Sequence, residues 1–169
     1  TEIYTLSLHD ALPILNPAFA ANRRVVIVGG GWGGLTAARH LRQLVPDLEV
    51  TLLDRQPAFM SFALSNRWLV ESGAASWARH DYAKLAANFG YRFLQAEVAG
   101  IDLAQRSVAS SAGQLPFDWL VLSPGIREDW SAWQVDDPRA VAELRRRYSG
   151  AMQSAADLPV LKQRLANFK

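Results

Sequence analysis

The chain has no cysteine, which excludes disulfides, thiolate metal sites and thiol redox chemistry anywhere in its 169 residues. Histidine is sparse: His9, His40 and His80 are widely scattered and suggest no metal cluster. Neither sign of charge dominates. Eighteen basic side chains against 16 acidic leave a net charge of +2, so nothing calls for a nucleic-acid partner. Arg145-Arg146-Arg147 is a local basic run that reads as a solvated helix face. No apolar run reaches the ~18 residues needed to span a membrane, so no transmembrane segment is expected. Half of the residues are hydrophobic and a fifth are charged, the composition of a globular protein long enough for one domain with a real core.

Against these absences stands one concentrated feature, Val25-Val26-Ile27-Val28-Gly29-Gly30-Gly31-Trp32-Gly33-Gly34. Four β-branched residues run into a glycine cluster, and Leu35 to Leu44 carries a helical pattern. Gly29, Gly31 and Gly34 fall on the G-x-G-x-x-G spacing. In that pattern the first glycine permits a tight turn and the second lets the backbone approach a pyrophosphate. The third lets the helix lie close on the strand. The helix N-terminus offers free N–H groups and about half a positive charge to phosphates. Glu49-Val50-Thr51-Leu52-Leu53-Asp54 then reads as a second strand, and Asp54 lies 20 residues after Gly34, where a carboxylate can accept hydrogen bonds from an adenosine ribose. The bland alternative is a βαβ unit that binds nothing, with Asp54 as a solvated strand end.

The rest of the chain reads coarsely. Gln56 to Arg79 is a long mixed connection with a short helix around Arg67 to Glu71. Asp81 can cap a helix through Asn88, and Gly90 can end it with a left-handed turn. Tyr91 to Gln95 and Glu97 to Ile101 read as strands broken near Ala96. Ser107 to Ser110 and Gln114 to Phe117 form a hairpin about Ser111-Ala112-Gly113. Asp118 to Leu122 is apolar enough for a strand buried on both faces, and Ser123-Pro124-Gly125 stops it. Asp137-Pro138 opens a helix through Arg147, and Asp157 to Phe168 makes a last one with Leu158, Leu161 and Leu165 on one face.

A dehydrogenase domain of a single nucleotide-binding unit would continue with alternating strands and helices. Here several short strands interrupt the alternation before the chain returns to a buried strand. That order resembles the FAD-binding domain of the two-dinucleotide-binding flavoprotein oxidoreductases. In that family a small antiparallel meander sits between the third and fourth parallel strands, followed by Asp, four mostly apolar residues and Ala-Thr-Gly. Asp118-Trp119-Leu120-Val121-Leu122-Ser123-Pro124-Gly125 matches with Ser-Pro-Gly in that place. The sequence is most similar to the sulfide-oxidising branch, the flavoprotein subunit of flavocytochrome c sulfide dehydrogenase and sulfide:quinone oxidoreductase. The residues that carry the likeness are VVIVGGGWGGLTAARHL (Val25 to Leu41), EVTLLD (Glu49 to Asp54), FALSN (Phe62 to Asn66), AEVAGID (Ala96 to Asp102) and FDWLVLSPGI (Phe117 to Ile126).

The resemblance implies an α/β fold: a Rossmann-like FAD/NAD(P)-binding three-layer domain with a parallel sheet and small antiparallel β-meander, incomplete at the C-terminus. The first twenty residues do not fit the rest and read as a leader or non-native segment over 1–20; the resemblance gives an FAD-binding part over 21–130 and a helical connection over 131–169 toward a second nucleotide-binding domain. It places Gly29, Gly31 and Gly34 at the FAD pyrophosphate, Asp54 at the adenosine ribose with Arg55 beside the adenine, and the Val98 backbone against the adenine. Ser123, Pro124 and Gly125 fall near the pyrophosphate or ribityl chain. For Ser65 and Asn66 a flavin-side loop and a helix cap remain open readings. Trp32, Phe59, Phe62 and Trp68 read either as flavin contacts or as packing.

Phe62 stands where some flavocytochromes carry a flavin-tethering cysteine, so a thioether link at that position is excluded. No residue qualifies as a catalytic acid, base or nucleophile, and nothing ties His80 or Glu71 to a flavin. The expected parent activity is oxidation of sulfide or a related small sulfur compound, with electrons passed to a c-type cytochrome subunit or a quinone. The alternatives are a generic NAD(P)H-dependent FAD reductase and an NAD(P)-binding dehydrogenase domain. Ala18-Phe19-Ala20 has the small-x-small pattern of a signal-peptidase site, which gives a periplasmic expectation against a cytoplasmic alternative.

Overall fold

The computed structural model describes residues 23–61, 63, 65–70, 75–126, 135–147 and 157–168. The chain divides into two compact units, Thr1–Pro57 with Tyr82–Pro124, and Ala58–Asp81 with Gly125–Lys169. The expectations on the leader, Ala18-Phe19-Ala20, Phe62 and Glu71 lie outside the described residues.

The first unit is built on β1 (Arg24–Val28), α1 (Trp32–Leu44) and β2 (Glu49–Asp54). β1 and β2 pair in parallel with Ile27 beside Leu52 and Val28 beside Leu53. Valine, isoleucine and leucine crowd these strands because both of their faces are covered, as in other parallel sheets. After the second unit's insertion the chain returns through α3 (Tyr82–Phe89), which ends at Gly90 with φ +73, and enters β5 (Arg92–Gln95). β6 (Val98–Asp102), β7 (Ser107–Ser110) and β8 (Gly113–Pro116) then form an antiparallel meander, and β9 (Trp119–Leu122) rejoins the main sheet. The sheet order is β5-β2-β1-β9, parallel throughout.

Alternation of side chains sends neighbouring strand residues to opposite faces. On one face Val26 and Leu53 join Ala96, Val108 and Phe117 in a buried cluster that seats the meander. On the other, α1 packs on β1 and β2, and α3 packs on β5. The result is the expected three layers, with Ile27, Leu52, Leu53 and Val108 fully enclosed.

One expectation is overturned. The apolar run that suggested a strand buried on both faces is partly open, with Trp119 43% and Leu122 58% exposed, and among the described residues β9 pairs with β1 alone.

The second unit holds β3 (Ala58–Met60) paired antiparallel with β4 (Arg79–Asp81), so the supposed connection contains a short ribbon. It also holds α2 (Ser65–Val70), α4 (Pro138–Arg147) and α5 (Asp157–Asn167). Asp137 accepts the Arg139 N–H at 2.9 Å, which caps α4 with Pro138 in its first turn. Arg146 and Arg147, read as a solvated face, are exposed but both pair with Glu143, whose carboxyl they hold down at about 2.

Candidate dinucleotide site at the glycine elbow

Parallel α/β sheets bind ligands beyond the carboxyl ends of their strands, and the predicted residues gather there. Gly29 follows β1 with φ +98, a conformation that favours glycine. Its N–H donates to the Leu53 carbonyl at 2.8 Å, and the Ser123 N–H donates to the Val28 carbonyl at 2.8 Å. These bonds set the ends of β2, β1 and β9 side by side. A Cβ on Gly29 would lie 2.1 Å from the Ser123 carbonyl oxygen and 2.9 Å from the Pro124 Cα. The glycine elbow and the proline elbow therefore touch.

Gly34 shows the third role of the pattern. A Cβ there would meet the Gly29 carbonyl oxygen at 1.9 Å, so only glycine lets α1 lie this close to the turn. Gly31 differs. Nothing lies within 4 Å of its Cβ position, and as N-cap of α1 it brings no side-chain cap. The first turn of α1 also holds no acidic residue. An open backbone surface at an uncapped helix N-terminus fits the pyrophosphate of a dinucleotide.

Asp54 is half-buried at the end of β2. Its Oδ2 accepts the Gly30 N–H at 2.8 Å and lies 3.4 Å from the Tyr82 hydroxyl oxygen, and its Oδ1 accepts the Gln56 N–H at 2.8 Å. Each carboxylate oxygen can take more than one donor, so ribose hydroxyls can still be received. The Ala96 N–H donates to the Asp54 carbonyl at 2.9 Å, which draws the start of the meander and Val98 toward this end of β2. Val98 itself packs against the core cluster. The Arg55 side chain is exposed, and its carbonyl accepts the Gln95 side-chain amide at 3.2 Å.

The structure thus brings together Gly29, Gly34, Asp54, Ser123 and Pro124, with Gly31 opening outward and Arg55 and Val98 at the neighbouring strand ends. Gly125, with φ +78, begins the second unit, and nothing lies within 4 Å of its Cβ position. Trp32 is 59% exposed beside the elbow. Phe59 stacks on His80 in the second unit, and Trp68 is buried there with the Lys162 ammonium 4.5 Å over its ring. No group of three or more metal-ligating side chains occurs among the described residues, and no helix among them is long and apolar enough to cross a membrane.

Sequence reasoning missed Tyr82. Its hydroxyl donates to the Gly30 carbonyl at 2.7 Å, and burial, followed by the Asp54 charge, raises its pKa so that it keeps its proton. Nothing in the local pattern joins a tyrosine at the start of α3 to a glycine 52 positions earlier. Also unforeseen was the ion pair that closes the other end of the sheet, where Arg24 Nη2 meets Asp118 Oδ1 at 2.8 Å.

Fold and elbow define a dinucleotide-binding α/β domain interrupted by a meander. The pattern of the pyridine nucleotide-disulphide oxidoreductases matches residues 23–136, and the chain belongs to that family. Among its relatives are ferroptosis suppressor protein 1 of Mus musculus, 39% identical over 102 residues, 60% of this chain and 26% of that protein. The sulfide-quinone reductase of Aquifex aeolicus is 31% identical over 109 residues, 61% of this chain and 24% of that one. The sulfide dehydrogenase [flavocytochrome c] flavoprotein chain of Chlorobaculum thiosulfatiphilum is 48% identical over 44 residues, 26% of this chain and 92% of that sequence. The chain spans about a quarter of the length of the first two. The Aquifex aeolicus sulfide:quinone oxidoreductase structure shares the fold, with TM-score 0.71 at 24% identity over 86% of this chain and 32% of that one.

Proposed function

We propose that this chain is the FAD-binding part of a flavin-dependent oxidoreductase that oxidises sulfide or a related sulfur compound and passes electrons to a quinone or a c-type cytochrome. The observation that carries the reading is the meeting of Gly29 with Ser123 and Pro124, two residues of β-strand ends that a dinucleotide would cross. The names of the sulfide relatives support the sulfur substrate and the two acceptors. The periplasmic location is proposed on the small-x-small pattern at Ala18 to Ala20.

In this reading the Gly31 backbone and the first turn of α1 hold the pyrophosphate, Asp54 receives the ribose, and the Ser123–Gly125 segment lies near the pyrophosphate or ribityl chain. The bound flavin would supply two-electron redox chemistry. The chain's own residues bind and orient it, and none of them is assigned a proton to transfer.

A second reading, an NADH-dependent quinone reductase, is favoured by a 27% identity over 157 residues with the type II NADH:quinone oxidoreductase NdhA of Mycobacterium tuberculosis. The FAD-binding part of the proposal is tested by titration of the purified chain with FAD and with NADH, followed by flavin absorbance. Retained flavin supports the proposal; binding of NADH without flavin rejects it. The 169-residue chain alone is expected to show no sulfide turnover, measured as sulfide-dependent quinone or cytochrome c reduction.

A further inference from the structure

Resting on the dinucleotide reading of the elbow, we propose that Tyr82 is a positioning residue that aims the Gly31 N–H at the bound pyrophosphate. Gly30 occupies an unassigned position of the G-x-G-x-x-G spacing, yet it too is glycine. A Cβ at Gly30 would lie 2.5 Å from the Tyr82 hydroxyl and 2.6 Å from two carbons of its ring. Gly30 is therefore glycine because the phenol occupies the space of a side chain.

The contact is more than steric. Gly30 is held at both ends: its N–H donates to Asp54 Oδ2 at 2.8 Å, and its carbonyl accepts the Tyr82 hydroxyl at 2.7 Å. The peptide joining Gly30 to Gly31 is trans, so its N–H points opposite to its C=O. With the carbonyl drawn inward to Tyr82, the Gly31 N–H faces outward, on a residue whose Cβ position meets no atom within 4 Å. Tyr82 can act as a fixed pin because it is 2% exposed and stacked on Phe93 at 4.8 Å between ring centroids. Gly30, bonded to Asp54 through its N–H and to Tyr82 through its carbonyl, thus ties the glycine turn to the carboxylate that would receive the ribose before any ligand arrives, which lowers the ordering cost of binding.

The test is Tyr82→Phe in the full chain, which keeps the stacked ring and removes the donor. ADP is the first probe, because it carries the ribose and both phosphates without the flavin; FAD is the second. The dissociation constants of both are expected to rise by a similar factor, about 3- to 10-fold for the loss of one hydrogen bond. The unliganded thermal midpoint is expected to fall by about 2–4 °C with folding retained, and the Gly31 amide resonance to shift. Unchanged ADP affinity in folded Tyr82→Phe overturns the proposal and leaves the dinucleotide reading standing. Lost affinity with a collapsed midpoint and an unmoved Gly31 resonance marks a merely structural role and also overturns it. A wild-type chain that binds neither ADP nor FAD overturns the dinucleotide reading and the proposal with it. Should Tyr82→Phe fail to fold, Gly30→Ala displaces the hydroxyl instead; unchanged ADP binding there overturns the proposal, and weaker binding with a shifted Gly31 resonance supports it.

Discussion

An alanine at Gly29 would carry its methyl to 2.1 Å from the Ser123 carbonyl oxygen while adopting φ +98. The left-handed backbone alone costs an L-residue about 1–2 kcal/mol, and the clash with rigid backbone adds to it. Gly29→Ala is therefore expected to lower stability by more than about 2 kcal/mol, read by urea denaturation. Gly31→Ala makes the contrasting case. Its methyl meets nothing within 4 Å, so stability should change by less than about 1 kcal/mol while ADP affinity falls, read by calorimetric titration. Spacing assigns both glycines to one motif, but only their surroundings separate a folding role from a ligand-facing one. Asp118 supplies a pH prediction at the same scale. Its hydrogen bonds from the Arg24 guanidinium hold its carboxyl below the usual 3.8. A depressed carboxyl contributes stability above its unfolded value and loses it as pH falls through the folded one. Asp118→Asn should lower the thermal midpoint near neutral pH by about 2–4 °C, and the difference should close as pH drops below 3.8. A difference that persists in acid would refute the pairing as its source.

Among the elements, β1, α1 and β2 were legible because periodicity and turn chemistry agree locally: a β-branched run, a glycine turn, a helical pattern, a second run. The meander was legible for the same reason, through its short strands and the turn at Ser111 to Gly113. β9 was misjudged as buried on both faces because an apolar run records which surroundings a strand is suited to, not how many neighbours it has. The ribbon of β3 and β4 was invisible, since three-residue strands carry no period and their pairing spans 19 or more positions. Two outcomes are expected. Leu53→Ala, at the joint of sheet and meander and 1% exposed, should cost about 2–5 kcal/mol by urea denaturation. Leu122→Lys, at an exposed position of β9, should reduce heat-induced light scattering while leaving the midpoint within about 2 °C.

For the whole molecule, the chain folds as two interleaved units, the second inserted between β2 and α3 and continued after Pro124. If FAD is held by the first unit, adding it at 100 times its dissociation constant should stabilise that unit by about 2.7 kcal/mol, read as a rise in thermal midpoint with FAD and none with free riboflavin. The sequence by itself determined the βαβ core, the three-glycine spacing, the carboxylate after the second strand and the meander, because each is written in short-range pattern: two-residue alternation, helical period and turn residues a few positions apart. Only the tertiary structure decided that Ser123 and Pro124 rest on Gly29, and that Tyr82 fills the space above Gly30 and binds its carbonyl. Those contacts join residues 52 to 95 positions apart, and no local preference encodes them; they follow from the parallel register that brings the ends of β1, β2 and β9 to one side of the sheet.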